Sequence, residues 1–205
     1  GTIIWPDQLL MLFAKDVVSR NPGSDVVYDI KCTRLLNTVI SNHGGRPVMS
    51  RSGHSFVKAK MAETNAILGG ELSGHICFNE RWFGFDDGIY AAARLIEIVG
   101  SQLKTLADLM AEFPVSCRTP EIRVPVAEAR KFHVIQKLVD EGGFGDGTIT
   151  TLDGLRVDYA HGWGLVRASN TTPSLTLRFE ADDEARLAEI KHLFRSQLQN
   201  HNLTF

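Results

Sequence analysis

Along the first half of the chain, segments with apolar residues at helical spacing alternate with short apolar runs. The three- and four-residue spacing predicts a helix over residues 7–20, and the run over residues 25–30 predicts a strand. The same patterns predict further helices at residues 33–44, 53–65 and 86–102, and strands at residues 46–50 and 66–70. Because strands and helices alternate, we expect an α/β domain with a mixed sheet.

Two prolines interrupt this pattern within residues 112–121, so we place a domain boundary there, with one domain at residues 1–113 and another at residues 114–205. The second half predicts a strand, a helix, a hairpin-like run that turns at Asp153-Gly154, an alternating strand at residues 174–181, and a final helix capped by Asp182 or Asp183. We therefore expect a smaller α+β domain with an antiparallel sheet.

Composition and charge narrow the class of protein. The 205 residues are 43% hydrophobic and 22% charged, as in ordinary soluble globular proteins, and the apolar runs are too short to cross a bilayer. We therefore expect no membrane partner, and a formal net charge of -2 gives no sign of the basic surface that nucleic-acid binding requires. Three cysteines, Cys32, Cys77 and Cys117, lack metal-site spacing, which predicts buried, reduced thiols and a cytoplasmic location.

Residues 69–88 hold polar groups at alternate positions, namely Glu71, Ser73 and His75. If this segment is extended, side chains two residues apart point to the same side. A carboxylate, a hydroxyl and an imidazole would then face one ligand, an arrangement that suits the recognition of hydroxyl groups.

Two further segments place polar side chains at the ends of predicted elements. Lys31 follows the strand at residues 25–30, where α/β sheets bind ligands and an ammonium suits phosphate or sugar oxygens. A solvated lysine is the commoner outcome for a lone residue. Ser52 or Gly53 opens a helix beside His54, which suits an anion, although a simple capping turn explains the segment equally well.

Residues 162–173 end in a cluster of donors that follows a predicted strand. Arginine offers a planar fork to two oxygens, and hydroxyls, an amide and turn N–H groups add more donors, so the cluster resembles a phosphate cradle without a Walker sequence. An ordinary polar turn is an equal alternative on composition alone. The cluster comprises Arg167, Ser169, Asn170, Thr171 and Thr172.

Five stretches, KCTRLL, RSGHS, GELSGH, ERWFGFDDGIYAAARLIEI and GWGLVRASNTTP, together resemble the third and fourth domains of the α-D-phosphohexomutases, most closely the bacterial phosphomannomutase/phosphoglucomutase branch. The resemblance implies that Glu71 and Ser73 bind sugar hydroxyls, with His75 as the loop histidine. It also implies substrate-binding roles for the residues at the family's lysine, histidine and phosphate-loop positions, which are Lys31, His54, Arg167, Ser169, Asn170 and Thr171. Lys31, His54 and His75 are candidates for proton transfer.

The chain also departs from the family pattern. The family's phosphoserine stretch and its magnesium loop of spaced aspartates do not occur, and the chain resembles the C-terminal half, beginning just past the metal site. The resemblance implies a mutase that interconverts hexose 1-phosphates and hexose 6-phosphates of glucose or mannose, with Mg²⁺ and hexose 1,6-bisphosphate as cofactors of the full-length enzyme. The missing N-terminal domains are then partners, and the chain alone is expected to bind no metal and to be inactive. A non-catalytic module that binds hexose phosphates is the alternative.

Overall fold

The computed structural model describes all 205 residues, Gly1–Phe205. The chain forms two compact units, Gly1–Pro114 and Val115–Phe205, and each contains its own cluster of buried apolar side chains. The boundary predicted from the sequence lies one residue earlier.

The first unit is an α/β domain with a four-stranded sheet. Its strands lie in the order β2-β1-β3-β4, in which β1, β2 and β3 are parallel and β4 is antiparallel to β3, so the predicted mixed sheet is confirmed. The elements in chain order are α1 Pro6–Arg20, β1 Asp25–Asp29, α2 Leu35–Asn42, β2 Arg46–Ser50, α3 His54–Thr64, β3 Leu68–Gly70, β4 Ile76–Phe78, α4 Gly88–Gly100 and α5 Leu106–Met110.

Strand β1 is the buried centre of this sheet, and all five of its residues are buried. Val26 and Tyr28 belong to the larger apolar cluster, whereas Val27 packs with Val57 and Met61 of α3. Because helices cover both faces, only the sheet edges and strand ends can present polar groups. The carboxyl ends of the three parallel strands meet at one edge, and the segments that follow them carry the predicted site residues.

The second unit has a six-stranded sheet in which every pairing is antiparallel, which confirms the predicted α+β class. Strands β5 and β6 both pair with β10, which continues through β9 and β8 to β7. The elements are β5 Cys117–Arg118, β6 Ile122–Pro125, α6 Glu128–Glu141, β7 Thr148–Thr150, β8 Leu155–Tyr159, β9 Gly162–Ala168, β10 Ser174–Ala181 and α7 Glu184–Gln199.

Two local predictions in the second unit are resolved by the structure. The hairpin-like run contains three strands, β7, β8 and β9, and therefore two turns. Asp183, rather than Asp182, caps the last helix, because its side chain accepts a hydrogen bond from the Arg186 N–H at 2.8 Å. The apolar face of α7 is buried as its spacing predicts, through Leu187, Ile190, Phe194 and Leu198.

The cysteines are free thiols, with Cys32 and Cys77 buried and Cys117 half-buried. None of the helices combines the length and the apolar character that a membrane span requires.

Candidate functional site

Residues 71–75 form the turn between β3 and β4. The Glu71 N–H donates to the His75 carbonyl at 3.0 Å and the Gly74 N–H to the Glu71 carbonyl at 3.1 Å. Gly74 has φ +99°, a conformation that glycine adopts without strain and that reverses the chain. The prediction of an extended segment with three side chains on one side is therefore wrong. Glu71 is buried, whereas Ser73 and His75 are exposed.

The Glu71 carboxylate is the most constrained group of this turn. Glu71 is only 2% exposed, and its Oε1 accepts a hydrogen bond from the Gly53 N–H at 2.6 Å. Oε2 is also buried but accepts no hydrogen bond within the chain. A buried acceptor without a donor is costly, so Oε2 is the unsatisfied polar atom of this turn.

Burial raises the pKa of Glu71 above its ordinary value of 4.5. The hydrogen bond from Gly53 opposes this shift, the charge of Asp29 adds to it, and the charges of His75 and Lys31 oppose it. Four ionisable groups therefore act on one another at this end of the sheet.

Two histidines lie beside this carboxylate. The rings of His54 and His75 are 5.4 Å apart between centroids. His75 Nδ1 lies 2.6 Å from Asp86 Oδ2, and a carboxylate in this place favours the tautomer with the proton on Nδ1. In that tautomer Nε2 is left as the basic nitrogen that can meet a ligand.

Asp29 connects the segments that follow the three parallel strands, and the sequence patterns did not single it out. It is fully buried: Oδ1 accepts from the Leu72 N–H at 3.1 Å and from Cys32 Sγ at 3.0 Å, and Oδ2 accepts from Ser52 Oγ at 2.8 Å. Lys31 Nζ lies 3.8 Å from Oδ2. The signal in the sequence was an aspartate at the carboxyl end of a buried strand, where ligands of α/β sheets bind.

These contacts bring four of the predicted residues together in the first unit, namely Lys31, His54, Glu71 and His75. Ser73 lies on the same turn, and its hydroxyl makes no hydrogen bond within the chain. The group offers carboxylate, imidazole, ammonium and hydroxyl groups to a polar ligand.

In the second unit, Arg167 lies near the end of β9 and is 6% exposed. Its Nε and Nη2 donate to the Asp153 carboxylate at 3.0 and 3.4 Å. The turn that holds Asp153 packs closely on the arginine, because a Cβ at Gly154 would lie 2.7 Å from the Arg167 Cα. Only glycine allows this approach, since Gly154 also has φ +88°.

The loop between β9 and β10 satisfies most of its own donors. Ser169 Oγ accepts from the N–H groups of Thr171 and Thr172 at 3.3 and 3.2 Å, and the Ser169 N–H donates to the Ser174 carbonyl at 3.0 Å. The Asn170 N–H makes no hydrogen bond within the chain. Ser169 Oγ is thus the acceptor for these two N–H groups. An anion that binds the loop would have to share their hydrogen bonds with Ser169 Oγ or replace it as the acceptor.

The residues of the chain do not fit a magnesium site. No group of three or more histidine, cysteine, aspartate or glutamate side chains is placed to hold a metal ion. We therefore derive no metal-dependent step from this chain.

Two family models match the chain. The model described as phosphoglucomutase/phosphomannomutase, alpha/beta/alpha domain III, matches residues 5–116, and the model described as phosphoglucomutase/phosphomannomutase, C-terminal domain, matches residues 121–197.

Individual proteins agree with these models. The chain is 60% identical over 199 residues to the phosphomannomutase/phosphoglucomutase of Pseudomonas aeruginosa, covering 97% of this chain and 43% of the relative. It is 48% identical over 203 residues to a phosphoglucomutase of Neisseria gonorrhoeae, covering 98% and 44%. A crystal structure of a phosphoglucomutase/phosphomannomutase family protein from Burkholderia thailandensis matches with a TM-score of 0.93 and 46% identity, covering 100% of this chain and 44% of that one. The chain spans less than half the length of these relatives.

The raised pKa of Glu71 predicts a dependence of stability on pH. The penalty for ionising Glu71 in the folded chain is absent below its ordinary pKa of 4.5 and fully present above the folded pKa. Glu71→Gln, which cannot ionise, should therefore gain stability relative to wild type as the pH rises from 4 to 8. Urea unfolding at several pH values measures this difference, with the exposed Glu63→Gln as control. A constant difference across the range would contradict the assignment.

The contacts of Asp29 predict a large effect of a small substitution. Asp29→Asn keeps the size of the side chain but removes the charge and one acceptor, so the free energy of unfolding should fall by about 2 kcal/mol or more. Asp25→Asn, at the other end of β1, is the matched control. Asp25 pairs with the largely exposed Arg46, so its loss should cost about 1 kcal/mol or less. Equal losses for the two variants, measured by urea unfolding, would argue against the role of Asp29.

Proposed function

Because this chain belongs to the phosphoglucomutase/phosphomannomutase family of α-D-phosphohexomutases, we propose that it is the part of a hexose-phosphate mutase that holds the substrate without reacting with it. The whole enzyme interconverts hexose 1-phosphate and hexose 6-phosphate through a hexose 1,6-bisphosphate. In this proposal the first unit binds sugar hydroxyls and the second binds the phosphate that is not being transferred.

The buried Oε2 of Glu71 carries the proposal for the first unit. A carboxylate that is already held by the Gly53 N–H keeps lone pairs for hydroxyl donors, and it can accept from two adjacent hydroxyls at once. Ser73 adds a hydroxyl from the same turn. Because Oε2 is enclosed in the free chain, a hydroxyl reaches it only after a local shift of the turn, and the Gly53 hydrogen bond keeps the carboxylate in place meanwhile.

This arrangement also accounts for the double name of the relatives. Glucose and mannose differ only at C2, so a carboxylate that reads the O3 and O4 hydroxyls accepts both sugars. Selectivity between the two epimers then requires contacts that Glu71 and Ser73 do not supply.

The loop of the second unit supports a phosphate site of modest affinity. Arg167 supplies a guanidinium, although it shares that group with Asp153, and Asn170 supplies a free N–H. Ser169 and Thr171 complete the proposed set. When phosphate binds, its oxygens accept the hydrogen bonds that the Thr171 and Thr172 N–H groups donate to Ser169 Oγ in the free chain.

Phosphoryl transfer depends chiefly on positioning and charge stabilisation. We assign the phosphoserine and the magnesium ion to the family domains that the match does not cover, and a proton relay to Lys31, His54 or His75. Asp86 favours His75 among these three, because it orients the imidazole. We place the enzyme in the cytoplasm on its reduced cysteines.

An NMR titration of the 205-residue chain tests the two binding roles. Glucose 1-phosphate and glucose 6-phosphate should both shift the Asn170 amide, at roughly millimolar concentration because each unit supplies only part of the contacts. Arg167→Ala should abolish that shift. Glucose 1-phosphate should also shift the Gly53 amide, and Glu71→Gln should weaken that response about tenfold, since hydrogen bonds to a charged acceptor are strong.

Two control variants each remove an exposed charge that lies outside the proposed sites. Arg186→Ala removes an exposed arginine of the second unit, and Glu63→Gln neutralises an exposed glutamate of the first, so neither should alter the shifts. Equal shifts with unphosphorylated glucose at Asn170 would mean that the loop does not read phosphate. No response at either amide at tens of millimolar ligand would contradict the proposal.

The division of labour predicts that the chain alone shows no mutase turnover. Without a phosphoryl donor it can bind but cannot transfer, so a coupled assay with glucose 1-phosphate, magnesium and glucose 1,6-bisphosphate should stay at the rate of a buffer control. Turnover by the purified chain above that rate would show that it contains a nucleophile we have not recognised.

A further inference from the structure

A buried lysine lies beneath the proposed phosphate loop. Lys131 of α6 is 2% exposed, and its Nζ donates to the Ser169 carbonyl at 2.6 Å and to the Thr172 carbonyl at 3.4 Å. Its third partner is Glu128 Oε1 at 2.6 Å. An ammonium has three donors, so all of them are in use. Lys131 lies outside every motif of the sequence analysis.

These bonds fix the direction of the loop backbone. The Ser169 carbonyl and the Asn170 N–H belong to one trans peptide unit, in which the two groups point in opposite directions. Because Lys131 draws the carbonyl toward α6, the Asn170 N–H points away from the lysine. This is the loop N–H that makes no hydrogen bond within the chain.

Lys131 also adds positive charge to the loop, where the charge of Arg167 is already neutralised. Arg167 is paired with Asp153, whose side chain is 10% exposed, so its positive charge is largely compensated. The partner of Lys131 is different, because the Glu128 side chain is 66% exposed and water screens its charge. A buried ammonium beneath the loop therefore leaves a net attraction for an anion above it.

We propose that Lys131 is a positioning residue of the phosphate loop, which aims the Asn170 N–H outward and supplies a positive charge that favours a bound phosphate without touching it. This inference rests on the phosphate-binding function proposed for the loop. It assigns part of the affinity to a residue of α6 that lies 38 positions before Ser169 in the chain.

Four variants of the 205-residue chain test the role of Lys131 with inorganic phosphate as the probe. Lys131→Met removes charge and bonds, Lys131→Gln keeps a donor without charge, and Lys131→Arg keeps the charge. Lys137→Met is the matched control, because Lys137 lies on the same helix, is exposed, and pairs only with Glu141. The dissociation constant is read from the Asn170 amide shift.

We expect Lys131→Met and Lys131→Gln to weaken phosphate binding about tenfold, in line with the loss of a charged interaction, and Lys131→Arg and Lys137→Met to stay within about twofold of wild type. Rescue by arginine but not by glutamine identifies charge as the cause, since a purely structural role follows the hydrogen bonds. If Lys131→Met fails to fold, the phosphate affinities of Lys131→Gln and Lys131→Arg are sufficient to decide the question.

Three results would overturn the inference. Wild-type affinity in both Lys131→Gln and Lys131→Met, or equal affinity of the glutamine and arginine variants, would remove the charge role. If Lys137→Met weakened phosphate binding equally, the effect of Lys131 would be one of the net charge of the chain and not of its position beneath the loop. Absence of phosphate binding by the wild-type chain is distinguishable from these, because it would overturn the proposed function of the loop itself.

Discussion

The candidate sugar site depends on one buried carboxylate, that of Asp29. A fully buried charge must be surrounded by donors, and removal of one partner from such a group costs several kcal/mol, about 3–5 in measured cases. The donors of Asp29 come from Ser52, from the Leu72 N–H and from Cys32. Because these groups belong to the segments after β2, β3 and β1, the carboxylate holds all three in one arrangement.

The position of Glu71 follows from this arrangement. The Leu72 N–H is bound to Asp29, so the residue before it is directed toward the turn that opens α3, where Gly53 donates to the Glu71 carboxylate. One carboxylate therefore organises the site, and a second keeps one oxygen without a hydrogen bond. The two lie close enough for the charge of Asp29 to raise the pKa of Glu71.

The second unit uses buried charges of both signs for the same purpose. Lys131 donates hydrogen bonds to carbonyl groups of the proposed phosphate loop, and Asp153 fixes the guanidinium of Arg167. In both units the residues proposed to meet the ligand lie on turns, and groups from other elements fix the shape of each turn. Such a preformed site loses little conformational freedom on binding, so less of the binding free energy is spent on ordering the turns.

The long helices could be predicted from the sequence, whereas two of the shortest strands could not. Helices such as Pro6–Arg20 and Glu184–Gln199 repeat their apolar spacing over several turns, which is a strong local signal. Strands Ile76–Phe78 and Cys117–Arg118 are too short to show any period. They form because β3 and β10 offer hydrogen-bonding edges, a condition that exists only in the folded sheet.

The same distinction holds for the site. The sequence by itself determined the two fold classes, the kinds of donor and acceptor in each motif, and the residues Lys31, His54, Glu71 and His75 that the first unit brings together. Only the tertiary structure decided that residues 71–75 are a turn, and that Asp29 and Lys131 hold the loops. The reason is physical: propensity and periodicity act between near neighbours, whereas the partners of a buried charge are chosen by burial. Asp29 meets Leu72 across 43 positions of the chain, and Lys131 meets Ser169 across 38.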